Sequence, residues 1–516
     1  MSTCDHRFKR FVSTKGLCLG LMMAAGSGQA QAADPAPGLS LGQAVVSALL
    51  RNVNLRLAND SIDAARGALV QQQGATDPVI SAQTQQTRSV MPLTASGGSA
   101  VSQKTDTWVN QVSLSQPFAN GVQASVSLAH TTSRDSSAQT ESGVPLQKAS
   151  LLEFQLRKPL LRTPGLGQLI AAAEADLQAG LLELEFTAAQ TTLDVALAYW
   201  DCHAKLAAAR ISLASDQRSE ELLADLGKLV EADEVPKAEL YLAQASLSAK
   251  RVSRLASQQS ATQARRALGR LLGIEGNAIF GLGELADPVP GDIAPVRSDK
   301  VVVDSVRLAV QSRADIAALR QRALSAELRL AVAQQQTKPQ LDLLLGATLR
   351  GQSEDKPAWA SAFSYRAGPG YSVGLSYELP IGNRAANGAS RQQAATLQAM
   401  SDRLQDLAIA IDSGVHGAAD DLQSSGDQLA ETNRTVPAYA ASVQNTRIKR
   451  RLGLVTLVEL LSVEDRYNEA QFAAVQARVA YASAIARWRF ETGQLLQRSG
   501  TNISARIDML LDATLN

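Results

Sequence analysis

Residues of the types used in catalysis are few and scattered in this sequence. The segment 38–42, Gly-Leu-Ser-Leu-Gly, matches the pattern around nucleophilic serines, which requires a strand before it and a helix after it. Here the preceding residues are typical of an export signal, so Ser40 is interpreted as the N-cap of a helix. Cys202 has no cysteine to pair with after the signal, and the later histidines lack the spacing of metal ligands: His130, His203 and His416. We therefore predict no catalytic residue, no metal site and no cofactor.

Carboxylates follow two similar segments that lie far apart in the chain. Residues 226–245 read LGKLVEADEVPKAELYLAQA and residues 452–470 read LGLVTLVELLSVEDRYNEA, so both open with Leu-Gly. In this alignment Asp233 or Glu234 corresponds to Glu459. One interpretation of these acids is that they are solvated groups at a helix start, where the helix dipole favours negative charge. The similarity itself indicates a repeated structural unit.

The duplication extends over most of the chain. Asn54 corresponds to Asp315 and Pro78 to Pro339, both at a separation of 261 residues, whereas the two turns are separated by 225 or 226. The first copy therefore contains about 35 extra residues before its turn. We predict a signal peptide, a first repeat, a Pro-rich linker, a second repeat and a C-terminal tail, in that order: 1–32, 33–274, 275–302, 303–496 and 497–516.

Each copy contains segments in which apolar and polar residues alternate, as in a strand with one apolar face. The first copy has about four and the second has two: 78–88, 112–115, 122–128, 152–156, 341–349 and 371–381. An extra hairpin around 117–121 accounts for most of the surplus in the first copy. It either joins the other strands or packs outside them. The polar links 91–105, 131–149 and 351–370 are predicted to be exposed loops.

Long amphipathic helices follow the strands in both copies. In the second copy, apolar residues recur at spacings of three and four, as in a coiled coil: Leu397, Met400, Leu404, Leu407, Ile411 and Val415. The stretch from Arg384 to Gly453 would span roughly 100 Å as a helix. Pro437 is expected to kink or break it.

Composition and the N-terminal segment limit where the protein acts. The net charge is +1 and only 4% of residues are aromatic. No basic patch with interleaved aromatic residues occurs, so we predict no binding to nucleic acid. Residues 1–32 have the basic start, apolar core and Ala-Gln-Ala end of a cleaved export signal. No later run of 18 apolar residues is present, which leaves a soluble exported protein or a β-barrel.

Strands that feed long helices, duplicated behind a signal peptide, resemble the TolC family of outer-membrane efflux proteins. The segments that carry the resemblance are 371–394 (YSVGLSYELPIGNRAANGASRQQA), 197–201 (LAYWD) and the two Leu-Gly turns. The resemblance implies a mainly α fold with a membrane β-barrel, shared by a homotrimer and continued by a long periplasmic α-helical barrel. A chain with four to six strands cannot close a barrel alone, which agrees with a trimer.

The resemblance also implies roles for the doubled turns. They would form the periplasmic tip that contacts an adaptor, a membrane fusion protein that links the channel to an inner-membrane transporter. The residues implied are Leu226, Gly227, Leu229, Val230, Leu452, Gly453, Leu454 and Val455, and an ordinary turn with buried leucines is the alternative. The carboxylates Asp233, Glu234 and Glu459 would line a constriction at the channel mouth, where a ring of acids attracts cations. Val455 stands where well-known members have an arginine, so the family's gate-locking ion pairs are in doubt.

Two functions therefore remain open at this point. The first is an outer-membrane channel, the exit duct of a tripartite efflux pump or a type I secretion system, surrounded by outer-membrane lipid. The second is a periplasmic coiled-coil adaptor or structural protein without a pore. Two helical hairpins and strands with apolar faces favour the channel.

Overall fold

The computed structural model describes residues 38–94, 100–136, 146–293, 299–353, 369–499, 502–506 and 510. The signal peptide predicted for residues 1–32 lies outside these residues. Two short helices open each repeat, and the second helix of each pair has 22 residues. Their bounds are α1 Leu41–Arg51, α2 Val53–Gly74, α5 Asp299–Ser312 and α6 Ala314–Gln335.

Four long helices form two hairpins: α3 (Leu166–Glu231) with α4 (Lys237–Leu271), and α7 (Arg384–Arg451) with α8 (Leu457–Glu491). α3 has 66 residues and α7 has 68, so each is roughly 100 Å long. The break expected at Pro437 does not occur: α7 continues through this residue, and it packs along α8. None of the helices in the described ranges is both long and apolar enough to cross a membrane.

Part of the predicted coiled-coil seam of α7 packs into a core between the helices. Ile411 and Val415 are fully buried, and Leu404 and Leu407 are partly buried against the same cluster. The facing residues come from α8 and include Tyr481, Ile485 and Trp488. Burying these side chains is the main source of stability for helices of this length, since helix propensity alone contributes little.

A second core lies around the middle of α3, where the sequence LAYWD is located. Tyr199 and Trp200 are fully buried, and the Tyr199 hydroxyl donates to the carbonyl of Leu39 at 2.9 Å. The same hydroxyl accepts from the N–H of Asp287 at 3.1 Å, so α3 holds both the start of the first repeat and the segment between the repeats. Burial raises the pKa of Tyr199 to about 12 and that of Cys202 to about 11. The Cys202 thiol therefore stays protonated and serves as a small packing group.

Six strands form one antiparallel sheet whose spatial order is the order of the chain. The bounds are β1 Val79–Thr94, β2 Ala100–Pro117, β3 Gln123–Asp135, β4 Leu146–Pro159, β5 Gln340–Ser353 and β6 Gly370–Glu378. The extra hairpin is β2–β3, and it lies inside the sheet between β1 and β4. A further short hairpin, β7 (Leu496–Ser499) and β8 (Asn502–Ala505), follows α8.

Five of the strands extend further than the alternation predicts. Residues 102–107, for example, lie within β2, although the sequence predicts loop for most of them. The physical reason is that alternation of polarity disappears toward these strand ends while backbone pairing continues. Thr107 still pairs with Thr87, and Thr105 with Ser89. The predicted loops are therefore shorter than expected.

The two faces of the sheet differ in polarity. Cross-strand register aligns one apolar row over all six strands: Ile80, Leu114, Val126, Phe154, Ala347 and Tyr371. On the other side, a matching row is polar or lacks a side chain: Ser81, Ser113, Ser127, Glu153, Thr348 and Gly370. We call these the apolar face and the polar face. This distribution of side chains is typical of a sheet with one face in an apolar environment and the other in water.

Candidate functional site

The turns at the ends of the two long hairpins have the same backbone geometry. In the first, Asp233 has φ 62°, and in the second, Gly453 has φ 71°. Glu234 donates its N–H to the carbonyl of Leu229 at 2.9 Å, and Leu454 donates to Lys449 at the same distance. This is the Schellman pattern, in which a residue in the left-handed region ends a helix and its last carbonyls are satisfied.

The structure corrects the alignment of the turns by several residues. Equivalent positions are separated by 220 residues, since α4 begins at Lys237 and α8 at Leu457. Gly227, aligned with Gly453 by sequence, lies inside α3, four residues before that helix ends at Glu231, and does not form the turn. The first copy therefore exceeds the second by 41 residues rather than about 35, because the separation falls from 261 to 220.

The two turns lie side by side. Leu457 at the start of α8 is buried against Leu226 and Ala243 of the first hairpin. An ion pair between Arg450 and Glu239 also joins the hairpins. Glu239 is the position equivalent to Glu459, so the sequence alignment missed it. These contacts hold the two turns together as one surface.

The predicted docking residues divide between the interior and the surface of this tip. Leu226 is only 3% exposed and belongs to the cluster between the hairpins, as the alternative interpretation of an ordinary turn expected for it. Leu229 and Leu452 are exposed, and Leu454 is 70% exposed. Gly453 is exposed, whereas Gly227, Val230 and Val455 are partly buried. Ile448 and Val458, which sequence reasoning missed, enlarge the exposed apolar surface.

The three predicted gate carboxylates, Asp233, Glu234 and Glu459, are all exposed at the same end of the molecule. Glu459 occupies the first turn of α8, and its N–H donates to the Thr456 hydroxyl at 3.2 Å. The helix dipole stabilises an acid at this place, so exposure and capping agree with both the solvated and the gate interpretation. The nearby Asp465 is paired with Lys250 across the hairpins.

The polar face of the sheet carries its own hydrogen bonds. Arg157 contacts Asp342 through two nitrogens, at 2.8 and 2.5 Å, and Gln340 donates to the same carboxylate at 2.7 Å. Ser81 and Ser113 are joined across β1 and β2 at 2.7 Å. These polar groups are stable on a face that meets water and would be costly in lipid.

The fold is shared with solved outer-membrane channels. The CmeC outer membrane channel of Campylobacter jejuni matches with 13% identity and a TM-score of 0.65, over 88% of this chain and 85% of that chain. The outer membrane protein VceC of Vibrio cholerae matches with 18% identity and a TM-score of 0.64, over 88% and 96%. The MtrE outer membrane channel of Neisseria gonorrhoeae, in its open state, matches with 16% identity and a TM-score of 0.59, over 88% of each chain.

No protein-family model matches the sequence, and comparison with curated proteins finds no match. At these identities the likeness to solved structures establishes the fold. The predicted fold, a mainly helical chain with a duplicated unit of strands and long helices, is therefore confirmed.

Proposed function

We propose that this protein is an outer-membrane channel, the passive exit duct of a tripartite efflux pump or type I secretion system. The supporting observation is that one chain joins a sheet with an apolar and a polar face to two hairpins of roughly 100 Å. The fold shared with solved outer-membrane channels supports the same location. The sheet would lie in the outer membrane of a Gram-negative-type cell, and the hairpins would extend into the periplasm.

The sheet needs further copies of the chain to close. Its edge strands, β1 and β6, run in opposite directions, so β6 of one protomer can pair with β1 of the next in the antiparallel sense. Lipid cannot satisfy open strand edges, and closure removes them. Because β2 and β3 lie inside the sheet, a homotrimer would have 18 strands, a size at which a barrel encloses an aqueous channel.

The tip of the hairpins is the proposed contact with a periplasmic adaptor, through which an inner-membrane transporter supplies the energy. Leu229, Leu452 and Leu454 are apolar side chains that water covers in the free chain. Their burial by a partner would favour assembly. Asp233, Glu234 and Glu459 would lie around the mouth and attract cations.

The decisive test is the location and activity of the protein. We expect heat-resistant trimers in the outer-membrane fraction, and ion conductance when they are placed in planar bilayers. In Glu459→Ala trimers we expect weaker cation selectivity with unchanged trimer yield. A soluble periplasmic monomer would instead favour the adaptor or structural role without a pore.

Strand closure is tested with paired cysteines on the polar face, in a Cys202→Ala background. Ser376→Cys on β6 is combined in turn with Ser81→Cys, Gln83→Cys or Gln85→Cys on β1. Oxidation should link protomers in at least one of these variants. The matched control combines Ser376→Cys with Ser127→Cys on β3, which lies inside the sheet. Linking in the control alone would mean that β1 and β2 are excluded from the barrel.

A further inference from the structure

The apolar face changes character toward the strand ends that lie far from the helices. Above the apolar rows, this face carries four basic side chains and one acid, which we call the basic cluster: Arg88, Lys104, Asp106, Arg134 and Lys148. The register places them on neighbouring strands β1 to β4, on the same face as Ile80 and Leu114. Two of the four strands belong to the extra hairpin.

The cluster has an excess of positive charge around a single carboxylate. Arg88 donates from Nε and Nη2 to the two oxygens of Asp106, at 2.6 and 3.0 Å. Asp106 is directly opposite Arg134 on the other neighbouring strand. Lys104 and Arg134 are exposed, and the Arg88 side chain is 71% exposed despite its pairing. One acid among four bases leaves a local charge of about +3, so the cluster attracts anions.

The height of the cluster corresponds to one membrane surface. Arg88 is nine residues beyond Val79, the first residue of β1 at the helix end, which is roughly 30 Å along the strand. A strand tilted by about 40° rises roughly 23 Å over that length, close to the apolar band of about 25 Å in outer-membrane barrels. Trp108 lies on the same face, one row nearer the helices than Asp106, and is exposed, as aromatic residues at a membrane interface are.

The charge is asymmetric between the two ends of the apolar face. Among the described residues of this face, the helix end of the six strands carries one basic side chain, Lys158. The far end carries the four of the basic cluster. A solvated rim without a ligand would not require this difference. A lipid leaflet whose headgroups bear several phosphates explains the difference. Each Arg or Lys near such an anionic surface strengthens binding about fivefold.

We propose that the basic cluster binds the phosphate groups of the phosphorylated glycolipid in the external leaflet. This inference rests on the proposed function, which places the far ends of the strands at the cell exterior. Guanidinium groups match phosphate oxygens in a bidentate manner, and the Lys side chains add charge at either side. A trimer presents three such clusters to the surrounding lipid.

The test uses purified trimers in a neutral detergent. They are titrated with bis-phosphorylated lipid A, with the same lipid after dephosphorylation, and with inorganic phosphate as competitor. We expect at least tenfold tighter binding of the phosphorylated lipid and no competition by phosphate at matched concentration. Equal binding of the two lipids would overturn the proposal. Effective competition would assign the cluster to a free anion and would overturn the lipid assignment.

The variant Arg88→Gln/Arg134→Gln/Lys148→Gln should weaken lipid A binding roughly 100-fold. Two matched controls should leave it unchanged: Lys158→Gln, at the helix end of the same face, and Arg350→Gln, on the polar face. If the triple variant forms no trimers, the single variant Lys148→Gln is tested instead. It should weaken lipid A binding about fivefold. Trimers that conduct ions but do not distinguish lipid phosphates would remove this inference alone, whereas absence of membrane trimers would remove the proposed function.

Discussion

The two repeats build the same helical framework from different residues. α4 and α8 have 35 residues each, and α2 and α6 have 22 each. In the described ranges, the strands between these helices number four in the first repeat and two in the second. The difference teaches that the lengths of α2 and α4 are matched by those of α6 and α8, as expected if the hairpins must end level with each other. The sheet can accept an extra hairpin, because each added pair of strands restores the direction of the chain.

The clearest difference within the framework is at the residue that precedes α2 and α6. In the first repeat, Asn52 caps α2 by accepting from the N–H of Asn54 at 2.8 Å and donates to the Leu271 carbonyl at 3.0 Å. In the second, the buried Arg313 pairs with Asp315 at 2.8 Å and Glu491 at 2.6 Å. Burial lowers the pKa of Arg313, but the bonds to both carboxylates outweigh it and raise the pKa above its ordinary value. One repeat thus uses neutral hydrogen bonds where the other uses an ionic network.

The largest expected effect distinguishes the two turns of the tip by their contribution to export. Leu454→Asp places a charge in the proposed adaptor contact, and burying an unpaired charge is costly, so export should fall roughly tenfold or more. Glu234 occupies the equivalent position of the first turn and is already acidic, so Glu234→Gln should leave export nearly unchanged. Export by cells and trimer yield are measured together. Normal export by Leu454→Asp would refute the docking role of the second turn.

The next effect compares the buried networks. Arg313→Gln leaves the partly buried Asp315 and Glu491 without their cation and should lower the free energy of unfolding by about 3 kcal/mol. Asn52→Ala removes a cap and one hydrogen bond and should cost about 1–2 kcal/mol. Denaturant unfolding of the two variants in the same detergent measures the difference. Equal losses would mean that the ionic network contributes no more than the neutral one.

A smaller effect tests the left-handed residues of the two turns. Gly453→Ala forces a Cβ into a φ of 71° and should cost about 1–2 kcal/mol. Asp233→Gly relieves the same conformation in the first turn and should be neutral or stabilising by up to ~1 kcal/mol. Opposite signs of the two changes in thermal unfolding would confirm the equivalence of positions 233 and 453. A loss of stability in both variants would contradict it.

The smallest effect concerns the residues that precede α4 and α8. Thr456→Ala removes the side-chain acceptor for the Glu459 N–H and should cost about 1 kcal/mol. Pro236 occupies the equivalent position and has no side-chain cap hydrogen bond. Pro236→Thr should therefore add such a bond and stabilise the first hairpin by less than about 1 kcal/mol. The two changes are followed by hydrogen exchange in the first turns of α4 and α8. No difference in exchange would show that packing alone fixes these helix starts.

The sequence predicts the fold better than it predicts the site. Alternation locates all six strands because the middle of each carries apolar side chains on one face. It misses the far ends, where residues such as Lys104 and Thr132 lie among polar neighbours and no longer alternate with apolar ones. Pairing continues there because backbone groups must still be satisfied. The extra hairpin cannot be placed from the pattern alone, since alternation says nothing about which strands become neighbours.

The two Leu-Gly pairs are misleading for the alignment, because Gly227 lies inside α3 whereas Gly453 adopts the left-handed conformation after α7. The residues at the two helix starts indicate the correct alignment. Pro236 and Thr456 each stand three residues before a glutamate, Glu239 or Glu459, which is the spacing of a helix N-terminus and gives the correct separation of 220. The pairing of Arg313 with Glu491 had no such signal, because its partners are 178 residues apart and meet only after the long helices pack.

The equal length of α4 and α8 restricts how such a chain can change over evolutionary time. Losing seven residues from each arm of one hairpin would shorten it by about two turns, or roughly 10 Å, and would pull its tip out of line with the other. A viable insertion or deletion in one half therefore calls for a compensating event in the distant half of the gene. Loops at the sheet have no such partner. Related chains should therefore vary freely in loop length at the sheet end of the molecule. The lengths of their two hairpins should change only together.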